Sequence, residues 1–462
     1  MHSGSVDALL SFLLQERVSA LNDAPEREAG EFVLLWLQGQ RRIRHNLAFA
    51  HAQRRANELS RPLVVYEGLR RDYPYASERL HHFVLGGVAD TARDCAEQGV
   101  AYGFFLQTPG SRRGVLHQLA ARASVVVTDY LPTFIHPAQT RALAARAQCR
   151  VEVVDAAGVA PLSMAPKAEI GARTLRPKIM RRLAELLQPI PEVPARVRAP
   201  RKLDWGFDPF RGSPQAGVEA AGVSREVRAL PSGGRAAGLR RLEAFALRGY
   251  DEARTEPGTD AQSGLSPYLH FGQVGAVEIA LAAQAKDAPE ADRAAFIEQL
   301  VVRRELALNF CTRVRPHDSL AALPPWAQRT LAKHESDRRP ALPSDAELEA
   351  ARSPDPLWNA MQNQLREEGR IHGWLRMLWG KTLVLWSRDA SEALRRMSFL
   401  NDKYALDGRD AVSVTSFLWC LGLHDRPFPE RPVFGVVRSM SLAAAPKKHD
   451  LDAYVSRWGP KG

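Results

Sequence analysis

Positions 357–386 decide the fold of the C-terminal half and read LWNAMQNQLREEGRIHGWLRMLWGKTLVLW. Apolar residues recur every three or four positions along this stretch, which is the spacing of one face of an α-helix. The same periodicity, with almost no strand signal, marks further stretches, namely Ala236–Arg248, Gly275–Ala285, Ala291–Cys311 and Ala390–Asp402. We therefore predict an all-helical domain over residues 215–462.

The N-terminal half instead alternates short apolar runs with amphipathic stretches. The predicted strands are Phe32–Leu37, Pro62–Tyr66, Ala101–Leu106, Val125–Thr128 and Arg150–Asp155, and the predicted helices are Asn46–Leu59, Arg79–Glu97 and Arg112–Ala123. This βαβ rhythm is typical of a doubly wound parallel sheet, so we predict an α/β domain over residues 20–180. Six prolines among basic residues at 188–214 disfavour regular structure and predict an interdomain linker over residues 181–214.

Composition narrows the function classes. The formal net charge of +11 would attract a polyanion such as nucleic acid. Four scattered cysteines indicate neither a disulfide framework nor a CxxC-type metal site. The first helix of the α/β half carries no GxGxxG or GxxxxGK[ST] motif, which disfavours a dehydrogenase or an ATPase. Without a signal peptide or an apolar run of about 18 residues, we expect a cytoplasmic protein of the cytosol or nucleoid.

The run Gly264-Leu265-Ser266-Pro267-Tyr268-Leu269-His270-Phe271-Gly272 has small and hydroxyl residues before a proline. Such a helix start presents unpaired backbone N–H groups that suit a phosphate, although in most proteins it is only a helix cap. Further motifs follow in order: FIEQLVVRREL at 296–306, WNA at 358–360, IHGWLRM at 371–377, LNDKYALDGRD at 400–410 and HDRPFPERPVFG at 424–435. Together these runs resemble the photolyase/cryptochrome flavoproteins, and most closely the class II cyclobutane pyrimidine dimer photolyases.

The resemblance implies an α/β domain followed by a helical domain that binds a U-shaped FAD. The residues it implies for the FAD phosphates are Tyr250, Gln262, Ser263, Gly264, Leu265 and Ser266. It also implies an ion pair of Arg376 and Asp407 beside the isoalloxazine ring, with Gly408 and Arg409 adjacent, and Asn401 facing flavin N5. An antenna chromophore, a deazaflavin or a folate, would bind the α/β domain.

Three tryptophans match the electron relay of the class II proteins. Trp379 and Trp386 are seven residues apart and so share one helix face, while Trp358 comes from the preceding segment. A buried aromatic stripe is the alternative interpretation. The resemblance favours a relay that passes electrons to the photoexcited flavin.

The implied reaction is repair of DNA. A lesion flips out of the duplex, and excited FADH⁻ donates an electron that splits the cyclobutane dimer. The residues implied at the lesion or at the DNA are Gln299, Met377, Trp419, Arg426 and Arg438. Lys447 and Lys448 could add phosphate contacts, although an ordinary solvated face is the favoured interpretation for these two lysines. We expect a monomer that acts on damaged DNA.

The chain departs from the family pattern on the lesion side. Gln299 stands where the family has the second of two glutamates, and Ala411–Val414 replaces Pro-Asn-Gly-Tyr. Phe428 replaces a tryptophan, and Leu378 and Thr382 replace a tyrosine and a lysine beside the relay. These changes support an alternative, a photolyase-like cryptochrome that acts as a blue-light sensor with weak or no repair activity, in which light-driven reduction of the flavin through the tryptophans changes the interaction with a signalling partner. A flavoprotein that binds DNA without light-dependent work is a third interpretation.

Overall fold

The computed structural model describes residues 3–200, 202–230, 233–259 and 261–459. Its contacts form two compact units that interleave along the sequence. The first unit comprises Met1–Met164, Ile179–Ala244 and Gly264–Ala285, and the second comprises Ala165–Lys178, Phe245–Ser263 and Lys286–Gly462. The consecutive domains at 20–180 and 215–462, with a linker at 181–214, stay a prediction about how the chain folds.

The first unit contains a sheet whose strands, within the described residues, are β1 (Val18–Ala20), β2 (Phe32–Leu37), β3 (Leu63–Leu69), β4 (Ala101–Leu106), β5 (Ala123–Asp129) and β6 (Arg150–Val154). The strand order is β1-β6-β5-β2-β3-β4. Neighbouring strands are parallel except for β1, which pairs antiparallel with β6 at one edge. The doubly wound α/β prediction is confirmed, and the three-residue edge strand β1 was missed because it is too short to show a pattern.

Helices make up most of the remaining structure. In chain order, and for the described residues, they are α1 (Ser3–Leu14), α2 (Leu47–Glu58), α3 (Glu78–Leu85), α4 (Val88–Glu97), α5 (Val115–Arg122), α6 (His136–Ala144), α7 (Ala172–Leu186), α8 (Pro214–Ala221), α9 (Arg235–Ala244), α10 (Tyr250–Ala253), α11 (Ser266–His270), α12 (Ala276–Ala285), α13 (Glu290–Ile297), α14 (Arg304–Arg313), α15 (Pro325–Lys333), α16 (Asp345–Glu349), α17 (Pro356–Glu368), α18 (Gly373–Leu385), α19 (Ala390–Tyr404), α20 (Ala411–Cys420) and α21 (Asp452–Trp458). Short 3-10 helices lie at Leu162–Met164, Leu320–Ala322 and Leu442–Ala444, and a π-helix at Glu298–Arg303. None of the helices described is long and apolar enough to cross a membrane.

The central strand β2 is covered by apolar side chains on both faces of the sheet. All its residues are buried, as expected for a central parallel strand covered on both faces. Val33, Leu35 and Leu37 point into one apolar cluster, and Phe32, Leu34 and Trp36 into another. These side chains alternate because successive residues of a strand face opposite sides of the sheet.

Two predicted helical stretches of the second unit are interrupted. Positions 357–386 form α17 and α18, because Gly369 ends α17 with φ +67°, a left-handed conformation that glycine adopts readily. Ala291–Cys311 forms α13 and α14 with the π-helix between them. Periodicity did not reveal either interruption, since apolar residues recur at helical spacing on both sides of each one. π-helical turns occur frequently at functional sites.

The carboxyl ends of β2 and β5 meet near the centre of the sheet, a usual place for a ligand crevice in such folds. Here Asp129, at the end of β5, accepts hydrogen bonds from the backbone N–H groups of Gln38, Gly39 and Gln40 at 2.6–3.3 Å. A Cβ on Gly39 would lie only 1.9 Å from Leu131 Cδ1. In nucleotide-binding sheets, backbone N–H groups of this kind bind a phosphate. Here the Asp129 carboxylate accepts their hydrogen bonds instead.

We expect Asp129→Ala to destabilise the protein by about 3 kcal/mol, because three buried amides lose their acceptor. The measurement is the free energy of unfolding in urea. Asp208→Ala, which removes an exposed aspartate of the same unit, is the matched control. Equal stability of the two variants would contradict the role given to Asp129.

Candidate functional site

An ion pair of Arg376 and Asp407 connects two helical segments of the second unit. Arg376 is in the first turn of α18 and Asp407 follows α19, and these two helices pack together. Arg376 Nη2 donates to Asp407 Oδ1 at 3.1 Å, and the two side chains are 15% and 14% exposed. The predicted pair is therefore present. Burying two charges is costly unless their remaining hydrogen-bonding groups are also satisfied.

Asn401 and Ser413 extend this polar group. Asn401 is buried in α19, and its Nδ2 donates to Ser413 Oγ at 3.3 Å, while Ser413 Oγ donates to the Asp407 carbonyl at 3.0 Å. A Cβ on Gly408 would lie 3.1 Å from the Asn401 carbonyl oxygen. The structure thus brings together Arg376, Asn401, Asp407 and Gly408, four of the residues predicted to bind FAD.

Arg409 is held in a left-handed conformation, with φ +64°. Asp402 fixes it: the Arg409 N–H donates to Asp402 Oδ1 at 2.9 Å, and Arg409 Nη1 donates to the Asp402 carbonyl at 2.9 Å. Such a conformation is unfavourable for a non-glycine residue and persists where surrounding contacts enforce it. The contacts show Arg409 shaping the turn that carries Asp407 and Gly408.

The three predicted tryptophans are buried and adjacent. Trp358 lies between the other two, with its ring centroid 6.2 Å from that of Trp379 and 5.6 Å from that of Trp386. The Trp358 and Trp379 rings are 7° from parallel. The order is therefore Trp379, Trp358, Trp386, which the seven-residue spacing on α18 did not predict, since the middle indole comes from α17.

Hydrogen bonds fix the orientation of two of these indoles. Trp358 Nε1 donates to the Trp379 carbonyl at 3.2 Å, and Trp379 Nε1 donates to Gln362 Oε1 at 3.0 Å. Gln362 is fully buried and lies one helical turn after Trp358. Sequence reasoning missed it, although its spacing of four from Trp358 on one helix face could have indicated it.

Several buried donors on α17, on α18 and at the start of α18 have no hydrogen-bond partner among the described residues. They are Gln362 Nε2, His372 Nε2 and Arg376 Nε. Burial, and then the nearby His449, lower the pKa of His372 to about 4. Buried polar groups are normally satisfied, so unpaired donors on these two helices fit a bound group with oxygen or nitrogen acceptors. A flavin nucleotide carries such acceptors on its ring, ribityl chain and phosphates.

The predicted phosphate loop is divided between the two units after Ser263. In the second unit, the Gln262 side chain approaches the start of α18, because a Cβ on Gly373 would lie 3.7 Å from Gln262 Nε2. Tyr250 begins α10 and packs against Phe296, with ring centroids 5.4 Å apart. The described contacts thus place Gln262 beside the helix that carries Arg376.

In the first unit, Gly264 has φ +65°, and a Cβ there would lie 2.8 Å from Arg241 Nε. Leu265 is buried and Ser266 exposed at the start of α11. The predicted proline-started helix is present, but it is only five residues long. The phosphate-binding roles of Tyr250 and residues 262–266 stay predictions.

Glu298 and Gln299 both lie in the π-helix, but they differ in their contacts. Arg176 donates to both oxygens of Glu298, at 2.7 and 2.8 Å, and Arg303 Nε lies 3.2 Å from it. Burial alone would raise the pKa of Glu298, but hydrogen bonds and charge from the two arginines lower it below its ordinary value. Glu298 is therefore a charged carboxylate that two arginines hold in place. Gln299, the next residue, is half-buried.

Trp419 lies next to Arg303, the arginine that also contacts Glu298. The guanidinium carbon of Arg303 is 5.6 Å from the centroid of the Trp419 ring, within the range of a cation–π contact. Met377 is half-buried on α18, and its carbonyl oxygen is 4.0 Å from Cys420 Sγ of α20. Arg303 was not among the predicted site residues, because its position over Trp419 depends on how the π-helix packs.

The predicted DNA-binding residues Arg426 and Arg438 converge on one ring. Their guanidinium carbons lie 5.6 and 5.7 Å from the centroid of Phe428. Lys447 and Lys448 are exposed, and Lys448 Nζ is 5.7 Å from the Trp374 ring. Phe428 thus contacts two cations, and paired guanidinium groups of this kind suit a phosphate backbone.

Lys381 was also missed. It is only 1% exposed, and its Nζ donates to the Cys420 carbonyl at 2.8 Å. Burial lowers the pKa of this amine to about 8. The tyrosine and lysine of the family pattern are replaced here by Leu378 and Thr382, both buried on the same helix.

The sequence and the fold both match known proteins. The DNA photolyase family model matches residues 33–195. The deoxyribodipyrimidine photo-lyase of Methanothermobacter thermautotrophicus is 34% identical over 454 residues, covering 96% of this chain and 98% of that protein. The chain belongs to the DNA photolyase family.

Further photolyases agree over most of their length. The deoxyribodipyrimidine photo-lyase of Oryza sativa is 35% identical, covering 92% of this chain and 87% of that protein. Two solved structures share the fold: a class III photolyase from Agrobacterium tumefaciens (TM-score 0.67, 18% identity, 93% and 86% covered) and an archaeal photolyase from Sulfolobus tokodaii (0.64, 15%, 92% and 90%). The predicted family, fold and photo-lyase enzyme class are confirmed.

Photolyase membership implies an FAD cofactor, and the unpaired donors at α17 and α18 fit such a group. The Sulfolobus tokodaii photolyase was solved with two FAD molecules. For this chain, an antenna chromophore such as a deazaflavin or a folate stays a prediction from the resemblance.

Arg376→Met should destabilise the protein by about 2 kcal/mol, because Asp407 would remain as a partly buried charge without its partner. The free energy of unfolding of the purified protein in urea, measured in the dark, checks this. Arg248→Met is the matched control, since Arg248 also pairs with an aspartate, Asp287, but the two side chains are 64% and 99% exposed, and it should change stability little. Equal losses in both variants would contradict the importance of the Arg376–Asp407 pair.

Proposed function

We propose that this photolyase is a class II enzyme that splits cyclobutane pyrimidine dimers in DNA under blue light, using bound FAD. The observation that carries the proposal is the series of three indoles leading to the Arg376–Asp407 pair. Trp379 lies one turn after Arg376 on α18, so both side chains are on one side of that helix. If the indoles were only a buried aromatic stripe, the unpaired hydrogen-bond donors on the same helices would have no explanation.

The residues that would hold FAD are those of the polar group. Arg376 and Asp407 would flank the isoalloxazine ring, Asn401 would face its N5, and Gln262 and Tyr250 would contribute to the phosphate site. When bound, a reduced flavin excited by blue light supplies the electron that opens the cyclobutane ring. Asn401 is suited to its position, because an amide donates or accepts a hydrogen bond as the neighbouring nitrogen gains or loses a proton.

The three tryptophans would restore the reduced flavin. Adjacent indoles at 5.6 and 6.2 Å between ring centroids are close enough for successive electron transfers. Gln362 accepts the Trp379 N–H through a neutral amide oxygen, which is too weak a base to remove that proton. Electrons would therefore pass through Trp379 without transfer of its proton.

The lesion would be held by Met377, Trp419 and Gln299, with Arg426 and Arg438 on the DNA backbone. Gln299 can donate a hydrogen bond to a pyrimidine carbonyl, but it carries no proton to transfer and no negative charge. Glu298 does not replace the missing carboxylate, because two arginines hold it. Repair would then proceed with the lesion's developing negative charge stabilised by amide donation.

The same substitution supports a second candidate function, a photolyase-like cryptochrome with weak or no repair and a signalling partner. The observation that favours it is Gln299 together with the Ala411–Val414 segment at the start of α20. Ser413 of that segment hydrogen-bonds Asn401, so part of the altered segment contacts the proposed flavin site.

Repair of an oligonucleotide that carries one thymine dimer, under blue light and with the protein photoreduced beforehand, decides between these functions. We expect light-dependent repair, and we expect Gln299→Glu to raise the yield per absorbed photon, because a carboxyl group can supply a proton to the lesion's developing negative charge, which the amide cannot. Gln364→Glu, at a half-buried glutamine elsewhere in the second unit, should leave the yield unchanged. Normal flavin photoreduction without repair would overturn the enzyme proposal and favour the cryptochrome.

Trp358→Phe should strongly slow photoreduction of the bound flavin, because it removes the indole between Trp379 and Trp386. The measurement is the rate of flavin bleaching under blue light with an external reductant. Trp205→Phe, which replaces an indole of the first unit, should photoreduce at the wild-type rate. If both variants behave like the wild type, the relay assignment fails.

A further inference from the structure

The segment of residues 426–438, called here the arginine loop, carries Arg426, Phe428 and Arg438. It is closed by backbone hydrogen bonds: the Phe428 N–H donates to the Val436 carbonyl at 2.8 Å, and Arg431 and Gly435 form a short antiparallel bridge. The loop therefore has a defined shape. Its attachment to the rest of the second unit determines where the two guanidinium groups point.

That attachment is made by the end of α15. The Val436 N–H donates to Thr330 Oγ1 at 3.0 Å, and the Val433 N–H donates to Asp337 Oδ2 at 2.8 Å. A Cβ on Gly435, which has φ +53°, would lie 2.7 Å from His334 Cδ2. The loop thus packs directly on the last turn of α15 and on the residues that follow it.

His334 sits at the centre of this attachment, with both ring nitrogens facing carboxylates. His334 Nδ1 is 2.7 Å from Asp337 Oδ2, and His334 Nε2 is 2.8 Å from Glu430 Oε1 of the arginine loop. A neutral imidazole has only one N–H, so only the doubly protonated ring can donate to both partners. The end of a helix also favours a cation, and His334 is the residue that ends α15.

Two cations also lie at this site, and by themselves they disfavour a second positive charge on the ring. Lys333 Nζ lies 2.7 Å from Glu430 Oε1, and Arg339 Nη1 donates to the His334 and Asp337 carbonyls at 3.2 and 2.6 Å. Hydrogen bonds to Asp337 and Glu430 raise the pKa of His334.

Both carboxylates that face the ring stay charged at neutral pH. The pKa of Glu430 is lowered, by a hydrogen bond from Lys333 first and then by one from His334. The pKa of Asp337 is lowered by the Val433 N–H first and then by His334. His334 therefore links two anions, one on each side of the attachment.

We propose that His334, in its doubly protonated form, is the positioning residue of the arginine loop, and that binding of DNA by this protein weakens when the imidazole loses its second proton. The inference rests on the proposed contact of Arg426 and Arg438 with DNA. Loss of the second proton leaves a lone pair facing one carboxylate, which weakens the attachment of the loop to α15, while the Val436–Thr330 and Val433–Asp337 hydrogen bonds remain. Since the charged form is favoured at low pH, binding strengthens on acidification and weakens as the pH rises through the titration of His334.

The test measures the affinity for a duplex oligonucleotide carrying one thymine dimer, in the dark, by fluorescence anisotropy from about pH 6 to about pH 8. Glu430→Gln should weaken binding about fivefold at the lower pH and flatten the pH dependence, because it removes the partner of His334. Glu335→Gln, at an exposed glutamate just after α15, is the control. Removing a negative charge near DNA by itself strengthens binding, so the expected effect of Glu430→Gln has the opposite sign to that of its control.

A second measurement does not depend on DNA. In the NMR titration of the histidine rings, the signal of His334, assigned with His334→Gln, should titrate at lower pH in Glu430→Gln than in the wild type. An unchanged titration would overturn the inference. So would a Glu430→Gln variant that binds DNA as tightly as Glu335→Gln.

The double variant Arg426→Ala with Arg438→Ala separates this inference from the proposed function. If that variant weakens binding while Glu430→Gln does not, the DNA contact stands and the role of His334 fails. If the double variant binds as tightly as the wild type, the proposed contact fails and the inference fails with it.

Discussion

The partly buried ion pair of Arg376 and Asp407 is the interaction on which the helical unit depends. It joins the first turn of α18 to the turn after α19, and the polar residues around it hydrogen-bond to one another. Removing a pair of charges partly from water is costly, and the unpaired Arg376 Nε adds to that cost. A bound cofactor that accepted hydrogen bonds from the unpaired donors would offset this cost. The same contacts would then stabilise the folded helical unit and bind the cofactor.

Much of the architecture follows from local patterns in the sequence. The strand β2 was predicted from its apolar run, and Arg376, Asp407 and the three tryptophans from motifs that fold as short contiguous segments. The breaks at Gly369 and at the π-helix were not predictable from periodicity, because apolar residues recur at helical spacing on both sides of each break. The three-residue strand β1 is stabilised by pairing with β6, a contact between residues far apart in sequence.

The residues that were missed share one property, which is that distant segments determine their contacts. Ser413 appeared only as a departure from the family pattern, yet it links Asn401 to the Asp407 carbonyl. Gln362 and Arg303 likewise contact tryptophans on other elements. A substitution that looks like a loss in a motif can therefore preserve a hydrogen-bonding position, as the hydroxyl of Ser413 does.

The order of the three indoles has a consequence for protein engineering. Since Trp358 belongs to α17 and its neighbours belong to α18 or end it, the indole series is a property of a helix pair. Grafting α18 alone into another bundle would leave Trp379 and Trp386 two helical turns apart with no ring between them. A designer who wishes to transplant this path must move both helices in their native register, with Gln362 to orient the first ring.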